Sequence, residues 1–310
     1  MDQPLYHVRD ETQDADGPTT ITLRTPRGHT VALRVFEAET PRAVVIIAGA
    51  MGVSQRAYER FARFLCEHGL TAITFDYFGI GASLTGRLRD CNVQVTDWAT
   101  EDCEAAVQFA LARYPGTPLT WLGHSVGGQI LGMIPSANRL DQAVTIACGS
   151  GYWRWNATPT RRRVLALWYG IAPVTLAALG YFPGNRLGIV GDLPGGVMRQ
   201  WRRWCLHPDY AVGAEGKAMA DQFDRLRVPI TALTFTDDEM MSRKGIQAMH
   251  AFYPNAPVRM VAIRPSDIGE DKVGHLGWSR ERYRDSIWAG QLLPLLDPTT
   301  EPVRASAPAP

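Results

Sequence analysis

Gly123-His124-Ser125-Val126-Gly127 is the most informative motif of this sequence. It follows residues 119–123, a short apolar run typical of a buried strand, and precedes residues 126–134, which have a helical pattern. A serine on such a tight strand-to-helix turn takes a strained backbone conformation, and side chains two positions away on either side would collide with their surroundings. In this context the motif predicts a nucleophilic Ser125, and a glycine-rich structural turn is the alternative.

Strand and helix patterns alternate in the sequence on both sides of this motif. Strands are predicted at Ala43–Ala48, 71–77, 144–148, Ile230–Phe235 and Val258–Ile263, and the first two are expected to be buried. Helices are predicted at 58–67, 98–113, 244–253 and 281–293, and a hairpin joins 21–23 to 31–36. This alternation predicts an α/β fold with a mostly parallel central sheet and helices on both faces.

The alternation stops between residues 151 and 216, which are rich in Trp, Tyr, Arg, Gly and Pro. We interpret this segment as a cap inserted over the carboxyl edge of the sheet, where ligands bind in such folds. The predicted core then comprises 19–150 and 217–293. A flexible N-terminus, 1–18, and a disordered Pro-rich tail, 294–310, are predicted at the two ends.

A serine hydroxyl needs a base, and His275 is the favoured one of the seven histidines. It lies in a loop with flanking glycines after the last strand, from which it can reach the sheet edge. A loop histidine bonded to backbone is the alternative. His124 adjoins Ser125, but neighbours on a sharp turn point apart, so we expect it to be a packing residue.

The base in turn needs an acid, and Thr236-Asp237-Asp238-Glu239 ends the strand Ile230–Phe235. We predict Asp238 as this acid, with Asp237 as the main alternative and Asp267 or Asp271, near the histidine in the sequence, as the remaining ones. The chain order of serine, acid and histidine is the order expected of a nucleophile on such a turn.

Two backbone amides are predicted to hold the oxyanion of the reaction. One is the N–H of Val126, at the start of the helix after Ser125. The other comes from the small-residue loop after Ala43–Ala48, where Ala50 is the first candidate and Met51 the second. A glycine-rich loop without this role is the alternative.

Several aromatic residues in the cap either line an acyl pocket or form the cap's own core. Tyr152, Trp153 and Trp155, with Met51, are the predicted substrate-binding residues. Arg199, Arg202 and Arg203 could meet an anionic group, although a solvated helix face is the favoured interpretation.

The overall charge excludes strong attraction to nucleic acid, because 32 basic residues nearly balance 31 acidic ones. Five scattered cysteines predict neither a disulfide framework nor a zinc site, and the N-terminus lacks a signal pattern. We therefore expect a cytoplasmic protein with no cofactor and no metal. The uncharged stretch 164–182 is interpreted as a buried or cap helix pair, with membrane-surface contact and a membrane span as alternatives.

Together these residues resemble the α/β-hydrolase superfamily, and more closely a bacterial branch of predicted serine hydrolases of the esterase or lipase type. The matching stretches are AGAMGVSQRAY, TFDYFGIGAS, WLGHSVGG, GSGYWRW, LPGGVMRQWRRW, TFTDDEMMS and VGHLGW, from about residue 48 to residue 278. The resemblance implies the α/β-hydrolase fold, the set Ser125, Asp238 and His275, and oxyanion amides at Ala50 and Val126. One departure is Ala48-Gly49, where many members carry His-Gly.

The sequence therefore predicts a serine hydrolase that cleaves an ester-type bond of a small to medium, largely apolar acyl substrate through an acyl-enzyme on Ser125. An acyltransferase or thioesterase with the same three residues is one alternative. A non-catalytic binding protein with this fold is another. The expected partner is a small acyl molecule, with neither a nucleic acid nor a membrane.

Overall fold

The computed structural model describes residues 6–13 and 17–297. A nine-stranded sheet runs through it in the order β1-β2-β3-β5-β4-β6-β7-β10-β11. Its strands are β1 His7–Gln13, β2 Thr19–Arg24, β3 Thr30–Phe36, β4 Ala43–Ala48, β5 Leu70–Asp76, β6 Leu119–His124, β7 Gln142–Ile146, β10 Ile230–Phe235 and β11 Val258–Ile263. From β5 to β11 neighbouring strands pair in parallel, whereas β1, β2 and β3 pair antiparallel. The predicted fold class is confirmed.

Helices cover both faces of this sheet. The helices outside the cap are α1 Glu59–Glu67, α2 Val95–Asp97, α3 Glu104–Arg113, α4 Val126–Gln129, α10 Lys217–Asp224, α11 Arg243–His250 and α12 Leu293–Leu296. A π-helical segment, Trp98–Cys103, joins α2 to α3, and a second one, Arg284–Leu292, leads into α12. No helix among the described residues is long and apolar enough to cross a membrane.

The position of β4 in the centre of the sheet explains why its sequence is apolar at every residue. Val44, Ile46 and Ala48 belong to the apolar cluster on one face of the sheet. Ala43, Val45 and Ile47 belong to the cluster on the other face, which also holds the α1 side chains. Because both faces are covered, a continuous apolar run replaces the alternation of a half-exposed strand.

The segment 151–216, predicted to be a cap and called the cap below, consists of short helices and one small strand pair. Its elements are α5 Thr158–Ala166, α6 Ala172–Leu179, β8 Tyr181–Phe182, α7 Gly184–Leu187, β9 Leu193–Pro194, α8 Gly195–Leu206 and α9 Tyr210–Glu215. A π-helical segment, Leu167–Ile171, makes α5 and α6 continuous. The cap follows β7 and precedes β10, so it starts and ends beside the carboxyl edge of the sheet.

Both segments predicted to be flexible or disordered, 1–18 and 294–310, contain residues in regular secondary structure. Within 1–18, the strand β1 pairs antiparallel with β2, although the side chains of residues 7–12 are exposed. Its pairing therefore rests on backbone hydrogen bonds, which leave no apolar pattern in the sequence. Within 294–310, the helix α12 continues to Leu296 and Asp297 is buried against Arg42. The remaining residues of both predicted segments, 1–5, 14–16 and 298–310, lie outside the described part.

Candidate active site

Ser125 lies on the turn between β6 and α4 with a φ of 52° and a ψ of −115°. This left-handed backbone conformation is strained for a residue with a side chain. The flanking glycines make the turn possible: a Cβ on Gly127 would lie 2.3 Å from the Ala48 carbonyl oxygen, and one on Gly123 would lie 2.6 Å from Gly128. The turn presents the Ser125 hydroxyl at the carboxyl edge of the sheet.

The structure brings the three predicted residues of the hydrolytic set together. His275 Nε2 lies 3.1 Å from Ser125 Oγ, and His275 Nδ1 lies 2.8 Å from Asp238 Oδ2. All three are buried, at 6%, 2% and 6% exposure for Ser125, His275 and Asp238. The remaining acid candidates, Asp267 and Asp271, are exposed and have no hydrogen bond to this imidazole among the described residues.

The carboxylate of Asp238 is fully engaged. Its Oδ1 accepts hydrogen bonds from the backbone N–H groups of Met240 and Met241, at 2.7 and 2.8 Å. Its Oδ2 is therefore the oxygen that receives Nδ1–H of His275. This bond places the imidazole proton on Nδ1 and leaves Nε2 as an acceptor for the Ser125 hydroxyl.

The neighbours of Asp238 position the loop that carries the histidine. Asp237 Oδ2 accepts hydrogen bonds from the backbone N–H groups of Val273 and Gly274, at 2.8 and 3.0 Å. Glu239 Oε2 accepts from the backbone N–H of His275 at 3.1 Å. Three consecutive acidic residues thus hold one loop, but only the middle one contacts the imidazole.

The predicted oxyanion donors differ in whether their backbone N–H groups are already engaged in a hydrogen bond. Within the described residues, no hydrogen bond uses the N–H of Val126, which leaves it available beside Ser125. The N–H of Ala50 instead donates to the Tyr58 hydroxyl at 2.9 Å. Ala50 is therefore wrong as the first-choice oxyanion donor. The N–H of Met51, the second choice, has no acceptor among the described hydrogen bonds, and its role as an oxyanion donor stays a prediction.

The same hydroxyl belongs to a buried hydrogen-bond chain that sequence reasoning missed. Tyr58 Oη lies 2.8 Å from His124 Nδ1, and His124 Nε2 lies 3.0 Å from the His275 carbonyl oxygen. Burial, followed by the nearby His275, lowers the pKa of His124 to about 3. A neutral imidazole then donates from Nε2 to the carbonyl and accepts the Tyr58 proton at Nδ1.

This chain joins the loop of the base to the loop of the oxyanion donors. It runs from the carbonyl of His275 through His124 and Tyr58 to the N–H of Ala50. His124 is thus more than the packing residue that the sequence predicts. No local signal marks the pairing, because Tyr58 precedes a helix at a distant point in the chain.

Replacing Tyr58 with phenylalanine should lower the turnover of an ester about tenfold with little change in KM. The variant keeps the ring but leaves the buried N–H of Ala50 without an acceptor, which costs about 1–3 kcal/mol and releases the loop. Steady-state kinetics with an aryl ester measures the effect. Tyr253→Phe is the matched control, since the Tyr253 hydroxyl also accepts a backbone N–H, that of Gly132, at 3.3 Å.

Both variants should lose thermal stability, but only the Tyr58 variant should lose turnover. Equal turnover of the Tyr58 variant and the wild type would show that the hydrogen-bond chain does not position the site.

A cavity of about 320 Å³ opens above Ser125. Its walls come from the loop after β4, the loops of Asp238 and His275, and the cap. The residues lining it are Ala50, Met51, Gly52, Val53, Ser125, Val126, Gln129, Gly184, Asn185, Gly188, Ile189, Val190, Gly191, Trp201, Met240, Met241, His275 and Leu276. None of these residues carries a carboxylate, an ammonium or a guanidinium group.

Of the predicted substrate-binding residues, Met51 lines this cavity but the three cap aromatics do not. The Tyr152 ring packs edge-on against Trp153 and Trp155. The carbonyl of Trp155 accepts the Ser242 hydroxyl, at the start of α11. These aromatics are therefore wrong as walls of this cavity, and Trp155 lies instead beside α11, where Lys244 Nζ is 5.2 Å from the centre of its ring.

The cap wall of the cavity is instead formed by Trp201, one of the cap aromatics that the sequence offered as a pocket wall, and by residues 184–191, which sequence reasoning did not assign to the pocket. Glycines at 184, 188 and 191 are the signal that was available. The backbone of Gly191 touches that of Gly52, since a Cβ on Gly191 would lie 1.9 Å from the Gly52 carbonyl oxygen. The cap thus contacts the loop of Met51 directly, and only glycines permit that approach.

Comparison with known proteins agrees with this architecture. Residues 39–177 match the family model described as serine aminopeptidase, S33. Human monoglyceride lipase is 33% identical over 93 residues, which span 29% of this chain and 29% of the lipase. The matched segment thus covers under a third of that relative.

Solved structures match over much more of the chain. A soluble variant of monoglyceride lipase from Saccharomyces cerevisiae, with a substrate analog, has a TM-score of 0.55 at 17% identity, covering 84% of this chain and 89% of that one. The esterase domain of a Rhodothermus marinus protein has a TM-score of 0.53 at 17% identity, covering 88% and 95%. At such identity the likeness concerns the fold. The chain therefore has the α/β-hydrolase fold, and its residues 39–177 are similar to the serine aminopeptidase S33 family.

Proposed function

We propose that this protein is a serine hydrolase that cleaves an ester-type bond of a small to medium, largely apolar acyl compound. The observation that carries the proposal is the hydrogen-bonded series of Ser125, His275 and Asp238 at the base of an apolar cavity. Sequence matches to a serine aminopeptidase family model and to a lipase support the same class of chemistry.

In the proposed reaction, Ser125 Oγ attacks the acyl carbonyl carbon while His275 Nε2 takes the hydroxyl proton. The carbonyl oxygen gains the electron pair and accepts hydrogen bonds from the N–H groups of Val126 and Met51. Collapse of the tetrahedral intermediate expels the leaving group, which receives the proton from His275. Water then repeats the sequence on the acyl-enzyme and releases the acid, while Asp238 stabilises the imidazolium in each half.

The cavity supports an uncharged, apolar substrate over a charged one. Its lining is dominated by methionine, valine, isoleucine, leucine and glycine, and about 320 Å³ is at the small end of ligand pockets. A peptide with a protonated amino terminus would need a carboxylate to offset its desolvation, and the lining residues include none. We therefore propose an ester substrate although the matching family model is named for an aminopeptidase.

The polar groups in the lining are mostly engaged already. Gln129 Nε2 donates to the Gly149 carbonyl at 2.7 Å, and its Oε1 accepts the Tyr210 hydroxyl at 2.9 Å. This side chain therefore has little capacity to recognise a polar substrate group. The flexible side chains of Met51, Met240 and Met241 instead favour tolerance of differently shaped acyl chains.

A fluorophosphonate probe tests the proposal directly, because it reacts only with an activated serine. We expect labelling of the wild type and its complete loss in Ser125→Ala. Ser54→Ala is the control, since Ser54 lies in the loop after β4 next to the cavity and should leave labelling intact. Mass spectrometry of the labelled peptide identifies the modified residue. Equal labelling of Ser125→Ala and the wild type would overturn the proposal.

A further inference from the structure

The cap exposes a set of large apolar side chains, four of which lie in the uncharged stretch 164–182 that the sequence predicts to be a buried or cap helix pair. Tyr169 and Val174, in the continuous helix from α5 to α6, are each 66% exposed. Only the inner face of this helix is buried, through Val164, Leu167, Trp168 and Ala172. We call the exposed set the cap apolar patch. Its members are Tyr169, Ile171, Val174, Leu179, Leu187 and Ile189.

The charge of the protein is concentrated in the same segment. Residues 151–216 contain eight arginines and three acidic residues, a net charge of +5, whereas the whole chain carries +1. The remaining residues therefore sum to −4. The balanced total in the composition conceals this separation, and the cap is a strongly positive surface.

The arginines lie next to the cap apolar patch. Arg161, Arg162 and Arg163 are exposed on α5, one to two turns before Tyr169, and form no ion pair with a described residue. The guanidinium of Arg202 lies 5.4 Å from the centre of the Tyr169 ring. Apolar side chains flanked by unpaired basic ones are typical of helices that lie in a membrane interface.

The patch also borders the cavity above Ser125. Ile189 is both exposed and part of the cavity lining, and its neighbour Leu187 is exposed beside it. A surface that covered the patch would therefore lie against the opening through which an acyl group reaches Ser125.

We propose that the cap apolar patch and its arginines dock on an anionic lipid surface, with the cavity opening turned toward that surface. The apolar residues would enter the acyl boundary while the arginines contact anionic headgroups. The delivery of an apolar ester from the lipid phase rests on the proposed function, whereas the docking itself does not.

Sedimentation with vesicles tests the docking independently of catalysis. The wild type and Ser125→Ala are mixed with vesicles of phosphatidylcholine alone or with added phosphatidylglycerol. Both proteins should bind the anionic vesicles equally and the neutral vesicles weakly. Val174→Glu should bind the anionic vesicles about tenfold less, because an apolar contact is replaced by a charge of the wrong sign. Met260→Glu is the matched control, since Met260 is exposed on the edge strand β11, outside the cap, and should bind as the wild type does.

The arginines are tested by the triple change Arg161→Gln, Arg162→Gln and Arg163→Gln. Each basic residue near an anionic surface contributes about 1 kcal/mol, or roughly fivefold in binding, so the triple variant should lose about a hundredfold. Added salt should weaken the wild type more than this variant. These measurements need no enzymatic activity, so a failure of the proposed function would leave them unaffected.

Three results would overturn the docking proposal. The first is failure of the wild type to bind anionic vesicles. The second is equal binding by Val174→Glu and the wild type. The third is a concentration-dependent dimer that Val174→Glu converts to a monomer, without vesicle binding by either, since a second copy would then cover the patch. Val174→Glu should keep wild-type turnover of a water-soluble short-chain ester.

Discussion

Replacing His275 with alanine is expected to lower kcat for an aryl ester by about 10⁶-fold, the loss seen when a serine hydrolase of this type loses its base. No other histidine can take over, because His124 is turned away to bond Tyr58 and the His275 carbonyl. Without a base the Ser125 hydroxyl keeps its proton, so acylation rather than substrate binding fails. KM for a poorly reactive ester should change little.

Burst kinetics with a chromogenic ester measures this expectation, because the burst reports acylation and the later phase reports release of the acid. Fluorophosphonate labelling of the variant should slow in parallel. His7→Ala is a suitable control, since His7 is exposed on β1, far along the sheet from Ser125. A His275 variant that retained more than a tenth of wild-type turnover would require a different base.

The second large effect is expected from Asp238→Asn, which should lower kcat by about 10⁴-fold. The oxygen of the new amide would keep the hydrogen bonds from the backbone of Met240 and Met241. Its NH2 group would then donate to His275 Nδ1 and move the imidazole proton to Nε2. In that tautomer Nε2 cannot accept the proton of Ser125.

Asp237→Asn is the matched control for this change. Its oxygen can still accept from the N–H groups of Val273 and Gly274, so the loop of His275 should stay in place. We expect a loss of stability of about 1–2 kcal/mol, from the weaker bonds of a neutral acceptor, and turnover within tenfold of the wild type. Measuring kcat and urea unfolding for both variants tests which of the two aspartates is the acid. A larger loss of kcat in Asp237→Asn would reverse the assignment of the acid.

Several strands were predictable because their signal is local. Ala43–Ala48, Ile230–Phe235 and Val258–Ile263 have in the structure the bounds that their composition predicts. The helix after Ser125 is shorter than predicted, since α4 ends at Gln129 and a 3-10 turn replaces its second half. Gly128 lets this short helix lie close to the strand β7 and the residues after it, because a Cβ there would lie 3.0 Å from Thr145 Cγ2 and 2.8 Å from the Cys148 sulfur.

The hydrolytic set was predictable because chain order and loop position determine which residues can meet at the sheet edge. The structure brings Ser125, Asp238 and His275 within hydrogen-bond distance, and their catalytic roles stay predictions. The oxyanion donor was not predictable in this way. Whether the N–H of Ala50 or Met51 is available depends on the Tyr58 hydroxyl, a tertiary contact that leaves no pattern in the loop itself.

The role of the cap residues could be predicted neither from a local sequence pattern nor from chain order. Its aromatic residues suggested a pocket wall, but Tyr152 and Trp155 pack beside α11 while a glycine-containing segment faces the cavity. Apolar composition alone cannot distinguish a side chain that lines a cavity from one that fills a core. The positive charge of the cap was equally hidden in the composition, because the negative net charge of the remaining residues offsets it in the net charge of the whole chain.

The contact between Gly52 and Gly191 has a consequence for the timing of the reaction. The peptide units of the two loops touch. A cap that swings outward to admit a bulky molecule would therefore break its contact with the loop that carries the Met51 amide, the proposed second oxyanion donor. The open form and the form that stabilises a negatively charged oxygen would then be different conformers. Admission and bond cleavage would be separate events in time, and closure around the acyl chain would assemble the second donor only once a substrate is inside.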